Sequence, residues 1–443
     1  MAPGFGRLSL LAAVAGGVFG QTTISDDRTT ATDSTVTSSE ATTPTGTYES
    51  FSSQITLGTD LGTTGSIATS MGTDNVTRST ISSSSSDTVT FLTGSAATTT
   101  TLAGNFSSST TSATPTVTNT QPCNSYAEFC NRKYSNITNV ACHNSPFVTT
   151  NNLAANQQYD VTAQLNDGVR FLQAQIQWPT GGSEPHFCHT SCDILDAGPI
   201  TDWLGQVKTW VAAHPYDVVT ILLGNGNYSV PSLYVPYIEQ TGILRYIYTP
   251  TVAPMTLDDW PTLSEMVLRG QRVVMFMDYM ANQTAYPWLL DEFSQLWETP
   301  FDPTNQSFPC TVERPPNLAD KDAKNRLYMI NHNLNIELSV LGTDMLVPAR
   351  TELNVTNNVT GTGSLGLSAN NCRSDWGRAP NFLNVDYYNM GGFPGSVFEV
   401  AAQMNNVTYD RQCCGQATSG AERLLGSGFI SSLAMLALFW AVL

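Results

Sequence analysis

The chain has 443 residues, 12% of them charged, and a formal net charge of −17. That balance argues against nucleic acid as a partner and against steering by anionic lipid headgroups. Its two ends and one long segment differ too much from globular composition for the whole chain to be one domain.

Residues 1–6 carry only the amino-terminal charge, Arg7 adds one more, and residues 8–19 form an apolar run that closes on Gly20. This is the pattern of a secretory signal peptide, residues 1–20, cleaved between Gly20 and Gln21. The run is too short to span about 30 Å of hydrocarbon. Residues 21–121 are about half Ser and Thr, with an unbroken serine run at 82–86. Such a stretch buries too little surface to offset its ordering entropy and reads as a disordered, O-glycosylated stalk. Nine Asn-x-Ser/Thr sites, at Asn75, Asn105, Asn136, Asn227, Asn282, Asn305, Asn354, Asn358 and Asn406, imply exposed loops carrying N-glycans.

All nine cysteines lie between Cys123 and Cys414. In an oxidising compartment disulfides are the default, and an odd count leaves one thiol free or paired between chains. The adjacent Cys413 and Cys414 are each expected to pair elsewhere. Cys188 and Cys192 with His189 and His143 match no standard zinc spacing.

From 122 to 414 apolar runs bounded by turns alternate with amphipathic stretches. Strands are expected at 140–143, 169–177, 185–189, 218–223, 273–278, 327–331 and 382–387. Helices are expected at 200–213, where Trp203, Leu204, Val207, Trp210 and Val211 share one face, and at 287–297 and 396–404. Alternating strands and helices predict an α/β fold with a parallel sheet. Seven strands in a domain of this length fit a TIM-type (β/α) barrel, irregular or with one strand unread. His143, Asn144, His189, Asn225, Asp278, His332 and Asp386 all fall where strands end. In a barrel that is one rim, where active sites are built. Each could equally be a strand terminator or a helix cap.

Residues 415–443 close the chain. Small residues Gly415, Ala417, Ser419, Gly420 and Ala421 precede a short spacer, then an apolar tail at 429–443 with no basic residue after it. Those are the parts of a glycosylphosphatidylinositol (GPI) attachment signal, with Ser419 or Gly420 as acceptor.

The sharpest motifs are Cys142-His143-Asn144-Ser145 and Phe187-Cys188-His189-Thr190, with Gly168-Val169-Arg170-Phe171 between them. His214-Pro215-Tyr216-Asp217-Val218-Val219-Thr220, Met277-Asp278-Tyr279 and Asn384-Val385-Asp386-Tyr387-Tyr388-Asn389 follow. On these residues, and over roughly 123–414, the chain resembles the phosphatidylinositol-specific phospholipase C X-domain superfamily, and within it the fungal phospholipase C-like phosphodiesterases. The resemblance implies a phosphoric diester hydrolase, with a lipid or glycolipid phosphodiester as substrate. It makes His143 the general base and His189 the general acid. Asp386 would orient His143, and His186 is the alternative acid. Asn144, Arg170, Gln173, Gln175, Asp278, Tyr279 and His332 would bind substrate. His214 precedes a strand and is read as surface structure.

Cleaving a phosphodiester needs a base, an acid and a positive group to offset charge in the transition state. Two histidines can serve as the first two, since imidazole titrates near working pH. In calcium-using relatives acidic residues on the second strand hold the metal, and in metal-free relatives an arginine there replaces it. Here those positions are Gln173 and Gln175. Neutral amide oxygens alone bind a hard dication poorly, so no metal or other cofactor is expected, and Arg170 is the nearest candidate cation, with holding the barrel floor as its alternative role. The same departure leaves open a catalytically impaired barrel acting as a structural or adhesive cell-wall glycoprotein. A glycoside hydrolase finds no convincing carboxylate pair beyond Asp278 and Asp386. A monomer is expected, GPI-anchored outside the outer leaflet or in the wall.

Overall fold

The computed structural model describes Tyr48 and residues 51–57, 121–148, 151–340, 343–392 and 395–414. The expected signal peptide, most of the expected stalk and the expected anchor signal lie outside the described residues.

In chain order, β1 (Ile55–Thr56) comes first, followed by β2 (Asn139–Cys142), α1 (Val161–Asp167), β3 (Phe171–Gln177), β4 (His186–His189) and β5 (Leu195–Pro199). Next are α2 (Ile200–Ala213), β6 (Val219–Asn225), α3 (Val235–Gln240), β7 (Val252–Ala253), α4 (Leu263–Arg269) and β8 (Val273–Met277). Then come β9 (Leu289–Asp291), α5 (Glu292–Gln295), β10 (Leu296–Glu298), α6 (Asp320–Ala323) and β11 (Leu327–Asn331). The hairpin β12 (Asn335–Val340) and β13 (Thr343–Pro348), then α7 (Leu353–Thr356), α8 (Leu365–Trp376), β14 (Phe382–Val385) and α9 (Ser396–Met404) complete the fold.

Eight strands pair in the order β10-β11-β14-β2-β3-β6-β8-β9, every ladder parallel. The period-2 alternation of each strand shows how this sheet curls. Ala141, Phe171, Leu222, Phe276, Leu290, Leu296, Met329 and Phe382, from all eight strands, meet in one buried cluster. Their neighbours Cys142, Leu172, Ile221, Met275, Tyr328 and Val385 pack in another, with Trp203, Leu204, Val207 and Val211 of α2. The first cluster is a barrel interior and the second the layer between barrel and helices, as in a (β/α) barrel. Tyr134 stacks on Trp260 at 4.6 Å and reaches Thr220 Oγ1 at 2.5 Å, which fills the end where the strands begin. Among the described residues no ladder joins β9 to β10, so the ring has a seam there, occupied by α5.

The seven expected strands are all present, but 185–189 pairs antiparallel on β3 outside the barrel ring. The expected helix at 287–297 is instead β9, the one-turn α5 and β10. Three-residue strands that are buried throughout show no alternation, and the turn between them places Leu289, Phe293 and Leu296 at helical spacing. Helices 200–213 and 396–404 are found as expected.

Disulfides join Cys123 to Cys130, Cys188 to Cys192 and Cys310 to Cys372, and Cys142 is a buried free thiol. The adjacent Cys413 and Cys414 reach no other cysteine among the described residues, so neither has the distant partner expected for it. Cys188 and Cys192, being oxidised, offer no thiolate to a zinc ion. The expected stalk is likewise not wholly free of structure: β1 pairs with β7, and Leu57 beside it is buried.

Candidate active site

Above the apolar floor the inward positions turn polar. Gln173 and Gln175 of β3, Asn384 of β14, Asn331 of β11 and Glu298 of β10 continue the same alternating face. The Asn384 amide donates to Gln173 Oε1 and to Asn331 Oδ1, both at 3.0 Å, and Asn331 donates to Glu298 Oε2 at 3.2 Å. Over this layer opens a cavity of about 660 Å³, lined by His143, Asn144, Gln173, Gln175, His189 and Asp278 among others.

His143 follows β2 directly. Its Nδ1 lies 2.8 Å from Asp386 Oδ1, just past β14, and the neighbouring β2–β14 ladder sets this pairing. Asn156 also donates to Asp386 Oδ1, at 2.9 Å, so the carboxylate is held from two sides. Asn144 Nδ2 stands 3.1 Å from His143 Nε2, and Asn144 takes a left-handed φ of 49° to place it there. Burial pushes His143 down, but the charge and hydrogen bond of Asp386, with Asp302 and Glu298 farther off, outweigh it and hold the imidazole above its ordinary value.

His189 closes β4 and is also buried, with its ring edge-on to Phe147 at 5.3 Å and Nδ1 3.1 Å from Thr190 Oγ1. With no carboxylate beside it, burial and then the charge of His143 lower it to about 4. Asp278 accepts the Asn225 and Tyr279 backbone N–H groups, both at 2.7 Å. Burial nonetheless pushes its carboxyl up to about 6, against those bonds and Arg314.

Three of the residues expected to bind substrate lie elsewhere. Arg170 opens β3 at the opposite end of the barrel, where Nη2 donates to Asp217 Oδ1 at 2.8 Å and Nη1 to Leu165 O at 2.7 Å. It ties the barrel floor. His332 is buried against Phe308 at 3.7 Å, and desolvation lowers it to about 3. Tyr279 stands behind the wall, and its hydroxyl accepts from Arg314 Nη1 at 3.3 Å. His186, the alternative acid, faces Asp196 at 2.9 Å and is not among the cavity residues; His214 stacks on Trp210 at 3.9 Å on the helical layer.

Among the cavity residues not foreseen from sequence, two are charged, Asp302 and Arg314. Both sit on the loop between β10 and β11. Arg314 returns to the barrel because its backbone bridges Glu298, whose N–H donates to Arg314 O at 2.8 Å. Its Nε donates to Glu298 Oε2, also at 2.8 Å, and Nη2 bonds the same oxygen. Burial alone would lower Arg314, but Glu298, Tyr279, Glu292 and Asp278 hold it well above the ordinary guanidinium value. It is a fixed cation in the cavity wall. The Gln173 and Gln175 side-chain oxygens are already engaged, accepting from Asn384 and Gln177 at 3.0 Å each. Neutral oxygens so occupied, in the same cavity as a guanidinium, do not fit the oxygen cage of calcium.

The sequence matches the PI-PLC X 1 family over residues 129–405. An uncharacterized secreted protein of Arthroderma benhamiae is 52% identical over 316 residues, 71% of each chain. The PI-PLC X domain-containing protein 1 of that organism is 39% identical over 282 residues, 63% of this chain and 89% of the relative. A phosphatidylinositol-specific phospholipase C from Listeria monocytogenes overlays with a TM-score of 0.42 at 12% identity, covering 61% of this chain and 94% of that one.

Proposed function

The chain belongs to the PI-PLC X-domain family, and from that premise we propose that it is a phospholipase C-like phosphoric diester hydrolase acting on inositol phospholipid or glycosylated inositol lipid. The observation that carries this reading is that His143, backed by Asp386, and His189 line one cavity with Arg314. His143 takes the proton of the attacking inositol hydroxyl, and Asp386 stabilises the imidazolium that forms. As the phosphorus–oxygen bond to the lipid alcohol breaks, His189 gives that oxygen a proton and a cyclic phosphate is released. His189 is neutral in the free protein at pH 7, being lowered to about 4. It therefore acquires its proton when an anionic phosphate enters and offsets the desolvation. Arg314, not Arg170, supplies the positive charge, and Gln173, Gln175 and Asn144 contact substrate as neutral hydrogen-bonding groups. No step needs a metal.

The setting is extracellular. The signal peptide, the secreted relative and the disulfides support secretion. Asn136, Asn227, Asn282, Asn305, Asn354 and Asn406 are exposed, as N-glycan acceptors must be, while Asn358 is half-buried. The stalk and the C-terminal signal would hold the head outside the membrane, as a monomer meeting outer-leaflet or wall glycolipids.

The test is release of cyclic inositol phosphate from phosphatidylinositol vesicles by wild type and His143→Ala. Wild-type turnover that drops to background in the variant supports the reading, and equal rates overturn it. One observation favours the impaired, structural alternative: Glu298 neutralises much of Arg314 within the wall. Turnover that requires both His143 and His189 counts against that alternative.

A further inference from the structure

A short part of the expected stalk is built onto the barrel. Ile55 and Thr56 pair with Ala253 and Val252, and Leu57 N–H donates to Thr251 O at 2.8 Å. The Gln54 amide donates to Pro254 O at 3.1 Å and to Asp259 Oδ2 at 3.0 Å. Upstream, the Tyr48 ring stands edge-on to Phe293 at 5.0 Å and to Tyr279 at 5.7 Å. Phe293 belongs to α5, in the seam between β9 and β10. Both rings also contact Arg314: its Cζ lies 5.5 Å from the Phe293 centroid, and its Nη1 donates to the Tyr279 hydroxyl.

Ordering backbone costs about 1–2 kcal/mol per residue, so a Ser/Thr-rich segment docks only where its contacts outweigh that. Here the contacts are two ladder positions, the buried Leu57 and an aromatic ring set edge-on to two of the rings around the guanidinium. Glu298 fixes one edge of Arg314. Phe301, whose ring centroid lies 4.3 Å from Arg314 Cζ, limits its movement together with Tyr279 and Phe293, and Tyr48 packs on the last two.

We propose that Tyr48 is a positioning residue that, through Tyr279 and Phe293, holds Arg314 at the cavity wall, so that this tyrosine, which precedes the barrel in sequence, is part of the anion-binding apparatus. This rests on the reading of Arg314 as the cavity's positive charge.

The experiment is calorimetric titration of the full secreted chain with inorganic phosphate, in parallel with phosphatidylinositol turnover. Tyr48→Ala is expected to weaken phosphate binding about 3- to 10-fold, the range for a residue that touches neither ligand nor reacting atoms. Tyr48→Phe keeps the ring and is expected to match wild type, which separates positioning from misfolding. In an Arg314→Gln background Tyr48→Ala is expected to cost nothing further. Wild-type affinity in Tyr48→Ala, an additive loss in the Arg314→Gln background, or no phosphate binding by wild type overturns the proposal. Phosphate binding that follows the expected pattern without any turnover leaves the positioning role standing and removes the hydrolase reading.

Discussion

At the scale of single residues, the two cavity histidines show one side chain driven in opposite directions by its surroundings. Both are desolvated, but only His143 has a carboxylate at 2.8 Å. Its folded value lies above the ordinary histidine value, so the His143–Asp386 pair stabilises the fold fully below that ordinary value, and the contribution is lost as pH rises through the raised one. Asp386→Asn is expected to bring the His143 titration midpoint down, read by NMR of the imidazole, and to reduce turnover by about 10²–10⁴-fold. An unmoved midpoint would show that Asp386 does not orient the base. Asp278 runs the other way. Raised to about 6, it favours the folded state when protonated, and stability falls as pH rises from its ordinary value, 3.8, through 6. Asp278→Asn keeps the acceptor for Asn225 and Tyr279, so it is expected to raise the melting temperature at pH 7 and to leave it unchanged below about pH 4. His143, Asn144, His189, Asp278 and Asp386 were legible in the sequence because each follows a recognisable strand. Of the two roles open to Arg170, cavity cation and tie of the barrel floor, the second is the one found, because Arg170 opens its strand and strand direction in a parallel barrel sends it to that end. Arg314 was not legible because it reaches the site through a partner 16 residues away, across a loop with no motif of its own.

At the scale of elements, α2 was read correctly because its apolar spacing survives in the structure: Trp203, Leu204, Val207, Trp210 and Val211 are all buried. Leu204, fully buried between α2 and the sheet, sets the expected cost of a cavity there. Leu204→Ala is expected to lower unfolding stability by about 2–5 kcal/mol, measured by denaturant titration, with the histidine titrations unchanged. β9 and β10 escaped notice because three buried residues carry neither alternation nor a turn signal. The hairpin of β12 and β13 escaped because it packs beside the barrel rather than within it, outside the strand–helix rhythm that organised the reading. Its Met345 and Leu346 nonetheless line the cavity.

At the scale of the whole molecule, the loop that delivers Asp302 and Arg314 is fastened to α8 by Cys310–Cys372, across a sequence separation of 62. A crosslink of that span restricts the unfolded chain by about 4 kcal/mol in the chain-entropy picture. The double replacement Cys310→Ala with Cys372→Ala is expected to lose about 2–5 kcal/mol of stability and to weaken inorganic phosphate binding, because Arg314 loses its tether. Retained phosphate affinity in the destabilised variant would show that the disulfide is not needed to fix the guanidinium. The pairing of particular cysteines could not be read from their spacing, since it depends on which loops the barrel brings together.

The seam has a further consequence, for association between chains. A ring interrupted between β9 and β10 has two strand edges, and an exposed edge is a template onto which another chain can add a strand. Here all six residues of the two strands are buried, and α5 lies across the break. Among the described residues the barrel therefore offers no ladder at its seam for a neighbour to extend, so the ring can stay open without inviting self-assembly through it.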